Sequence, residues 1–399
     1  MTAELVIAWL VLAVWIYLLA FRGGFWLMRQ RDDVDELERP SAWPSVTAII
    51  PARDEAKLVP RSLGSLLAQD YPGRFSVLLV DDQSSDGTAP IARSVATDAK
   101  FDVAIVSGQA LPAGWTGKVW AMQQGLAHVD AGGDQPDYLL FTDADIEYAL
   151  DALRRLVSRA EQDDLVMTSI MAKLNCESVA ERALIPAFVF FFQMLYPFSW
   201  VNRRTAKTAA AAGGCMLVDG RAFERAGGLG KIRGAMIDDC ALAALLKKEG
   251  PIWVGLSNRV RSLRAYPRFG DIRRMVARSA YAQLRFSPFL LITTIFAMIF
   301  AYLTPPFFAL NGNFPANFLG LAAWALMALA YLPILHFYRI FPLWAAMLPV
   351  IAAAYAAFTL DSAYQHWRGR GGQWKGRSQA LAAKHDHGFQ YRGEQDGAR

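Results

Sequence analysis

Tyr138-Leu139-Leu140-Phe141-Thr142-Asp143-Ala144-Asp145-Ile146 is an apolar run that gives out in two aspartates set one apart. A buried strand ending in Asp-x-Asp at the lip of a sheet offers hard oxygen ligands to Mg²⁺ or Mn²⁺, and such an ion can carry a substrate pyrophosphate. That chemistry points to a nucleotide-sugar site. The spacing alone decides little, because Asp33-Val34-Asp35 repeats it inside a charged run that reads as solvated surface, and turn or helix-capping carboxylates look the same. The neighbouring segments separate these readings.

Upstream, from Val46 onward, short apolar runs alternate with helical segments, as in βαβ units around a mostly parallel sheet. Residues 46–50 read as a buried strand broken by Pro51, residues 60–69 as a helix with Leu63, Leu66 and Leu67 on one face, and residues 76–80 as a second strand. This strand runs into Asp81-Asp82-Gln83-Ser84-Ser85-Asp86-Gly87-Thr88. Acidic and small polar residues at a strand's carboxyl end, just before a helix, sit where open α/β sheets bind ligands. An Asx-turn with an N-cap accounts for Ser85, Asp86 and Gly87 but leaves the pair Asp81-Asp82 unexplained. Gly114-Trp115-Thr116-Gly117-Lys118 is a Gly-rich loop before a helix beginning near Val119. Free backbone N–H groups and an ammonium there suit a diphosphate; an exposed lysine beside a turn is the alternative.

Downstream, a helix is expected over 149–161 and a strand over 165–172. Small residues over 209–218 lead into Gly213-Gly214-Cys215, which either lets the backbone approach a bulky acceptor closely or packs tightly in the core. Ile237-Asp238-Asp239-Cys240-Ala241-Leu242 then opens a helix that runs to Lys248. An aspartate at that place is a cap or a base.

Ile50-Pro51-Ala52-Arg53-Asp54-Glu55, then Ser65-Leu66-Leu67-Ala68-Gln69-Asp70-Tyr71-Pro72, then Val80 to Thr88, then Asp143-Ala144-Asp145 stand in the order of the motifs of family 2 inverting glycosyltransferases, which residues 46–286 resemble. Among relatives the chain looks most like the ceramide glucosyltransferase and hopanoid-associated branch, where Gly114 to Lys118 also has a counterpart. The resemblance implies an α/β, GT-A-like fold with a mostly parallel sheet and flanking helices. It implies that Glu55, Asp81 and Asp82 hold uridine and ribose in a nucleotide-sugar site that also takes in Pro51, Arg53 and Lys118. Asp143 would stay near the ribose or the metal, and Asp145 would ligate Mg²⁺ or Mn²⁺. Asp238-Asp239-Cys240-Ala241-Leu242 resembles the family's Glu-Asp-x-x-Leu element with Asp238 in place of Glu, which puts Asp239 at the position of the catalytic base. Processive polysaccharide synthases of the family carry Gln-x-x-Arg-Trp where this chain has Gln283-Leu284-Arg285-Phe286, one residue short and with Phe for Trp. That departure speaks against polymer threading. Arg285 then reaches the diphosphate or lies on the membrane surface.

With 399 residues, 54% of them hydrophobic, the chain is more apolar than ordinary soluble domains. Part of it belongs in a membrane. Its 41 Lys and Arg against 36 Asp and Glu give +5, too mild and dispersed for nucleic acid and suited to an anionic membrane surface. Cys176, Cys215 and Cys240 form no CxxC and read as small packing residues in a reducing compartment. Residues 5–21 are uncharged and followed by Arg22, Arg29 and Arg31, the pattern of a retained anchor with its N-terminus outside and its basic flank cytoplasmic. Residues 183–201 are nearly as apolar, yet a single crossing there would put Asp145 and Asp239 on opposite faces. They read instead as an interfacial helix that gathers acceptor, or as a core helix.

Residues 289–310, 318–338 and 340–360 are charge-free runs of spanning length, and full crossing by all three would leave Arg368, Arg370, Lys375 and Arg377 outside, against the positive-inside rule. One of them is therefore expected to fall short, and Pro305-Pro306 marks the first as the candidate. The expected organisation is an anchor (1–31), a juxtamembrane linker (32–45), a cytoplasmic catalytic domain (46–286), a C-terminal transmembrane region (287–360) and a basic polar tail (361–399) in which His385 and His387 face water. The expected activity is transfer of a sugar from a nucleotide diphosphate, a UDP-sugar by the resemblance, to a hydroxyl of a lipid acceptor such as a hopanoid, at the inner membrane. A polyprenyl-phosphate glycosyltransferase and a non-catalytic nucleotide-binding scaffold are the alternatives.

Overall fold

A strand covered by helices on both faces must be apolar along its whole length, and Val46–Ala52 is buried at every residue. It forms β1 at the centre of a sheet in a computed structural model that describes residues 2–133, 135–374 and 377–378. The other strands are β2 (Phe75–Asp81), β3 (Asp102–Ser107), β4 (Tyr138–Thr142), β5 (Ile146–Tyr148), β6 (Met167–Lys173), β7 (Cys215–Asp219) and β8 (Ile252–Ser262). Their order is β3-β2-β1-β4-β7-β6-β8-β5. Four of the seven pairings are parallel, with β4–β7, β6–β7 and β5–β8 antiparallel. The sheet is the mixed, mostly parallel one expected.

Pro51 does not break β1, which continues through Pro51↔Val80 to Ala52↔Asp81. β4 pairs with β1 only as far as Ile49↔Phe141, so the proline, which has no N–H to give, falls where β1 has outrun one neighbour. The helix Gly117–Ala131 packs so closely on the sheet that a Cβ at Gly125 would lie 2.6 Å from Ile49 Cγ2. The helix expected from residue 149 begins at Ala152, because β5 and its turn occupy the residues before it.

Five helical stretches are long and apolar enough to cross a membrane: Ala3–Phe21, Val179–Val201, Pro288–Asn311, Ala316–Phe337 and Pro342–Trp367. Val179–Leu195 packs inward, with Phe190 5.2 Å from Phe25 and 5.3 Å from Tyr331 between ring centres. One hydrophobic cluster therefore runs from the sheet residues Met216 and Val254 to Trp15 and Tyr331 of the apolar helices. The sheet and the apolar helices share a core. The segment that starts at residue 32 is tied to the sheet and its helix, since Asp32 N donates to Leu256 O and Arg155 donates to Asp32 O.

Pro305-Pro306 does not break its segment. The helix Pro288–Met298 passes through a π-helical turn at Ile299–Leu303 into Thr304–Asn311, with the prolines in the first turn, where a missing N–H costs least. Trp15 Nε1 donates to Ala301 O in that turn at 2.7 Å. At the far end, Asn313 N donates to Glu4 Oε1, so this segment finishes beside the start of Ala3–Phe21. The last segment behaves differently. It leaves Phe337, whose carbonyl accepts from Lys173 Nζ at the end of β6, and reaches only partway down its neighbour, where Trp324 Nε1 donates to Ala346 O. It then returns, with Ser362 Oγ on Ala277 O and Trp367 against Tyr281. Pro288–Asn311 is thus helical throughout, while Pro342–Trp367 packs back against the domain. Most of the tail expected over 361–399, including His385 and His387, lies outside the described residues.

Candidate active site

Arg53 and Glu55 follow β1, and Asp81-Asp82 end β2 beside them. Asp82 N donates to Ala52 O at 2.7 Å, Arg53 Nη1 donates to Asp82 O at 2.5 Å, and Glu55 N donates to Thr88 Oγ1 at 2.8 Å. Asp82 is fully buried, with its carboxylate 3.7 Å from Arg53. Asp86 plays the structural part, accepting from Thr88 N, Thr88 Oγ1 and Ala56 N. The two motif loops are thus one unit.

Two cations knit the acidic motifs together. Lys118, in the first turn of Gly117–Ala131, lies 2.7 Å from Asp143 Oδ1 and 3.3 Å from Asp238 Oδ2. Burial pulls the Lys118 ammonium down, but Asp143 and Asp238 outweigh it and hold it above its ordinary value. Arg264, just past β8, puts Nε 2.6 Å from Asp145 Oδ2 and Nη2 on Glu55. Burial opposes its charge too, and Asp145 and Glu55 prevail.

Asp239 opens the helix Asp238–Leu246. Its Oδ2 accepts from Gly213 N at 2.9 Å and its Oδ1 from Cys240 N at 2.7 Å. Burial and the charge of Asp238 push its carboxyl from 3.8 up to about 6, against Lys118 and the two N–H groups. Gly213 matters for space: a Cβ there would lie 3.0 Å from Lys118 Nζ and 3.3 Å from Asp239 Oδ2.

These groups form the polar floor of a cavity of about 820 Å³ lined by Pro51, Arg53, Glu55, Lys118, Asp143, Asp145, Gly213, Asp238 and Asp239. Its other wall is apolar, from Phe188, Phe191 and Leu195 to Met298 and Tyr302. Of the remaining expected site residues, Asp81, Asp82, Gly214, Cys215 and Arg285 do not line it. Cys215 is fully buried on β7 opposite Thr142, and the bare Cα of Gly214 faces Ile146. A larger hollow of about 1240 Å³ elsewhere, between Trp43, Trp120 and Phe223, is reached by Trp115 but by none of the motif carboxylates and not by Lys118.

Sequence reasoning missed Arg264 and Tyr266, which line the cavity, and Glu181, which positions two of its walls. Glu181 accepts from Ser178 N, Glu177 N and Asn175 at the start of Val179–Leu195 and from Tyr266 N at 2.6 Å. The capping-box pattern Ser178-x-x-Glu181 was a readable signal for the helix start. Nothing in it signalled the bond to Tyr266.

Among the described residues no group of three or more His, Cys, Asp or Glu could hold a metal ion. Asp143 and Asp145 nevertheless fit a divalent ion that arrives with phosphates, since Mg²⁺ is commonly held by one or two carboxylates while substrate and water supply the rest. The ammonium and guanidinium that rest on them show that cationic charge suits both places.

Residues 47–227 match the family described as Glycosyl transferase family 2. The chain carries a family 2 glycosyltransferase domain. Over 126 residues it is 32% identical to the 4,4'-diaponeurosporenoate glycosyltransferase of Staphylococcus haemolyticus, covering 31% of each chain. Over 116 residues it is 33% identical to the enzyme of that name from Staphylococcus aureus, covering 29% of this chain and 28% of that one. The chain thus spans less than a third of the length of these curated relatives. A mannosyltransferase from Pyrobaculum calidifontis, solved in complex with GDP-Man and Mn²⁺, aligns over 90% of this chain and 99% of its own with a TM-score of 0.56 at 20% identity. That likeness shows the GT-A fold of the glycosyltransferase domain.

Proposed function

We propose that the protein is a membrane-bound inverting glycosyltransferase that moves a sugar from a nucleotide diphosphate to a lipid acceptor. The observation that carries this reading is the single cavity whose floor is the Asp143, Asp145, Lys118 and Asp239 cluster and whose wall is made by helices apolar enough to lie in a membrane. A lipid held along that wall brings its polar end to Asp239.

Asp239 takes the proton of the acceptor hydroxyl as the hydroxyl oxygen attacks the anomeric carbon, and the bond to the diphosphate breaks on the opposite face. One displacement inverts the centre. Gly213 and Cys240 N–H groups fix the carboxylate, and Lys118, between the Asp143 and Asp238 carboxylates, holds charge that builds on the leaving diphosphate. Asp143 and Asp145 would hold Mg²⁺ or Mn²⁺, which when bound supplies Lewis-acid stabilisation to that diphosphate. Pro51, Arg53 and Glu55, backed by Asp81 and Asp82, hold the nucleoside, a uridine if the family resemblance extends so far. The acceptor is a hopanoid by the same resemblance.

A second reading has an acceptor that is already ionised, a polyprenyl phosphate or a carboxylate. Arg274 and Arg278 line the cavity and favour it, and the curated relatives are named for a carboxylate. Incubating the detergent-solubilised protein with a panel of nucleotide sugars and total membrane lipid, and looking for a hexose or N-acetylhexosamine mass gain on a lipid, tests both. A gain lost in Asp239→Asn supports the hydroxyl acceptor; a gain retained supports the ionised one. No gain with any donor would remove the transferase reading.

A further inference from the structure

Arg264 is delivered to the cavity by strand register. β5 and β8 run antiparallel with Ile146 opposite Ser262, and Leu263 N donates to Asp145 O at 2.7 Å. The main chains on either side of Asp145 and Arg264 are therefore locked together. On the other side, Tyr266 N is held by Glu181 at 2.6 Å. Between these ties the guanidinium reaches out as a fork, one arm on Asp145 Oδ2 at 2.6 Å and the other on Glu55, so it joins two carboxylates from separate motifs. Its side chain remains about one-third exposed and lines the cavity, which leaves it room to turn.

Any divalent ion that binds Asp145 must meet this guanidinium. Like charges at contact distance repel unless one of them moves or an anion comes between them. A nucleotide diphosphate supplies that anion, and a planar guanidinium suits phosphate oxygens as well as carboxylates. We propose that Arg264 is a positioning residue that acts as a built-in counter-ion, spanning Asp145 and Glu55 while the donor site is empty and passing to the donor's diphosphate when nucleotide and divalent ion arrive together. Tight metal binding then requires the nucleotide. This rests on Asp145 as a metal ligand in the function proposed above. It adds an order of binding and a residue that no motif of the sequence contains.

The test is Mn²⁺ binding by electron paramagnetic resonance on the detergent-solubilised full chain, with and without UDP or GDP. In Arg264→Gln, Mn²⁺ affinity without nucleotide should rise at least about tenfold, the direction that removing a like charge dictates. In the same variant, nucleoside diphosphate affinity measured in EDTA should fall. Arg264→Lys keeps the charge and should leave nucleotide-free Mn²⁺ affinity near wild type, whereas loss of a merely structural tie would weaken binding in both variants. Asp145→Ala separates the two layers. If it abolishes Mn²⁺ binding with nucleotide present while Arg264→Gln shows no gain, the counter-ion is wrong and the metal site stands. If Mn²⁺ binding with nucleotide is indifferent to Asp145→Ala, both are wrong.

Discussion

Asp239 is held where its own charge is opposed, by burial first and by Asp238 second, and its carboxyl rises from 3.8 to about 6. Such a group is a usable base near neutrality. Lys118, the N–H groups of Gly213 and Cys240 and the thiol of Cys240 also face it, and Tyr196 lies within reach of its charge. A base must be ionised to work, so transfer should fall as pH drops through about 6, and that acid limb should vanish in Asp239→Asn. The same substitution should lower kcat by about 10²- to 10⁴-fold with nucleotide affinity near wild type, and Asp238→Asn should cost less. Stability runs the other way. A carboxyl raised in the folded state stabilises the fold when protonated and loses that contribution as pH climbs from 3.8 through about 6. At neutral pH, Asp239→Asn should therefore melt higher than wild type. If both aspartate variants kept their rates within a few-fold on a hydroxyl lipid, the base would lie elsewhere. Gly213→Ala tests the same corner by crowding, because its methyl must push Lys118 or Asp239 aside; turnover should drop while the protein stays folded. Asp143, Asp145, Lys118, Asp238 and Asp239 were legible in the sequence, since each belongs to a short local motif. Arg264 was not, because its place depends on β5 pairing with a strand more than a hundred residues away.

At the scale of elements, the sequence shows where strands are more reliably than where they stop. β1 and β2 carry their own apolar signal, but β5 is three residues long and exists only through β8. Its residues therefore look like the run-up to a helix. Val179–Leu195 was legible as an apolar helix, and the structure adds what holds its start. Glu181, almost completely buried, takes N–H bonds from its own cap and from Tyr266, two residues past Arg264. Glu181→Ala would leave those donors without their acceptor and should cost about 2–3 kcal/mol, read as a lower midpoint in thermal unfolding in detergent. Because the same bond steadies the segment that carries Arg264, nucleotide affinity should fall as well. Glu181→Gln keeps an acceptor and should recover part of both. An unfolding midpoint in Glu181→Ala equal to wild type would mean that the cap and the Tyr266 bond contribute nothing.

For the whole molecule, the positions of the apolar segments' ends bear on the conflict that charge counting raises. Glu4 and Asn313 meet at one end of the bundle. Phe337 at Lys173, and Trp367 at Tyr281, mark the other, where the glycosyltransferase domain sits. Ala3–Phe21, Pro288–Asn311 and Ala316–Phe337 each run between these ends, whereas Pro342–Trp367 starts partway and returns to the domain. In the arrangement we propose, of three crossings and one return, Arg22, Arg29, Arg31, Arg368 and Arg370 would lie on the domain's side together, as the positive-inside rule favours for a cytoplasmic domain. The sequence could not choose which segment returns. Proline is the usual sign of a broken span, but here a π-helical turn absorbs Pro305-Pro306, and what stops the last segment is its contact with Trp324 and with the helix Phe269–Ala277. Single cysteines introduced at Asn313 and at Gly369 test this arrangement in intact cells with a membrane-impermeant maleimide. The native Cys176 and Cys240 are only partly buried and would label once the membrane is permeabilised, so the test is made in a chain with Cys176, Cys215 and Cys240 replaced by alanine. Asn313→Cys should label from outside and Gly369→Cys only after the membrane is permeabilised. External labelling at Gly369 would make the last segment a full crossing and put the basic residues that follow it on the outer face.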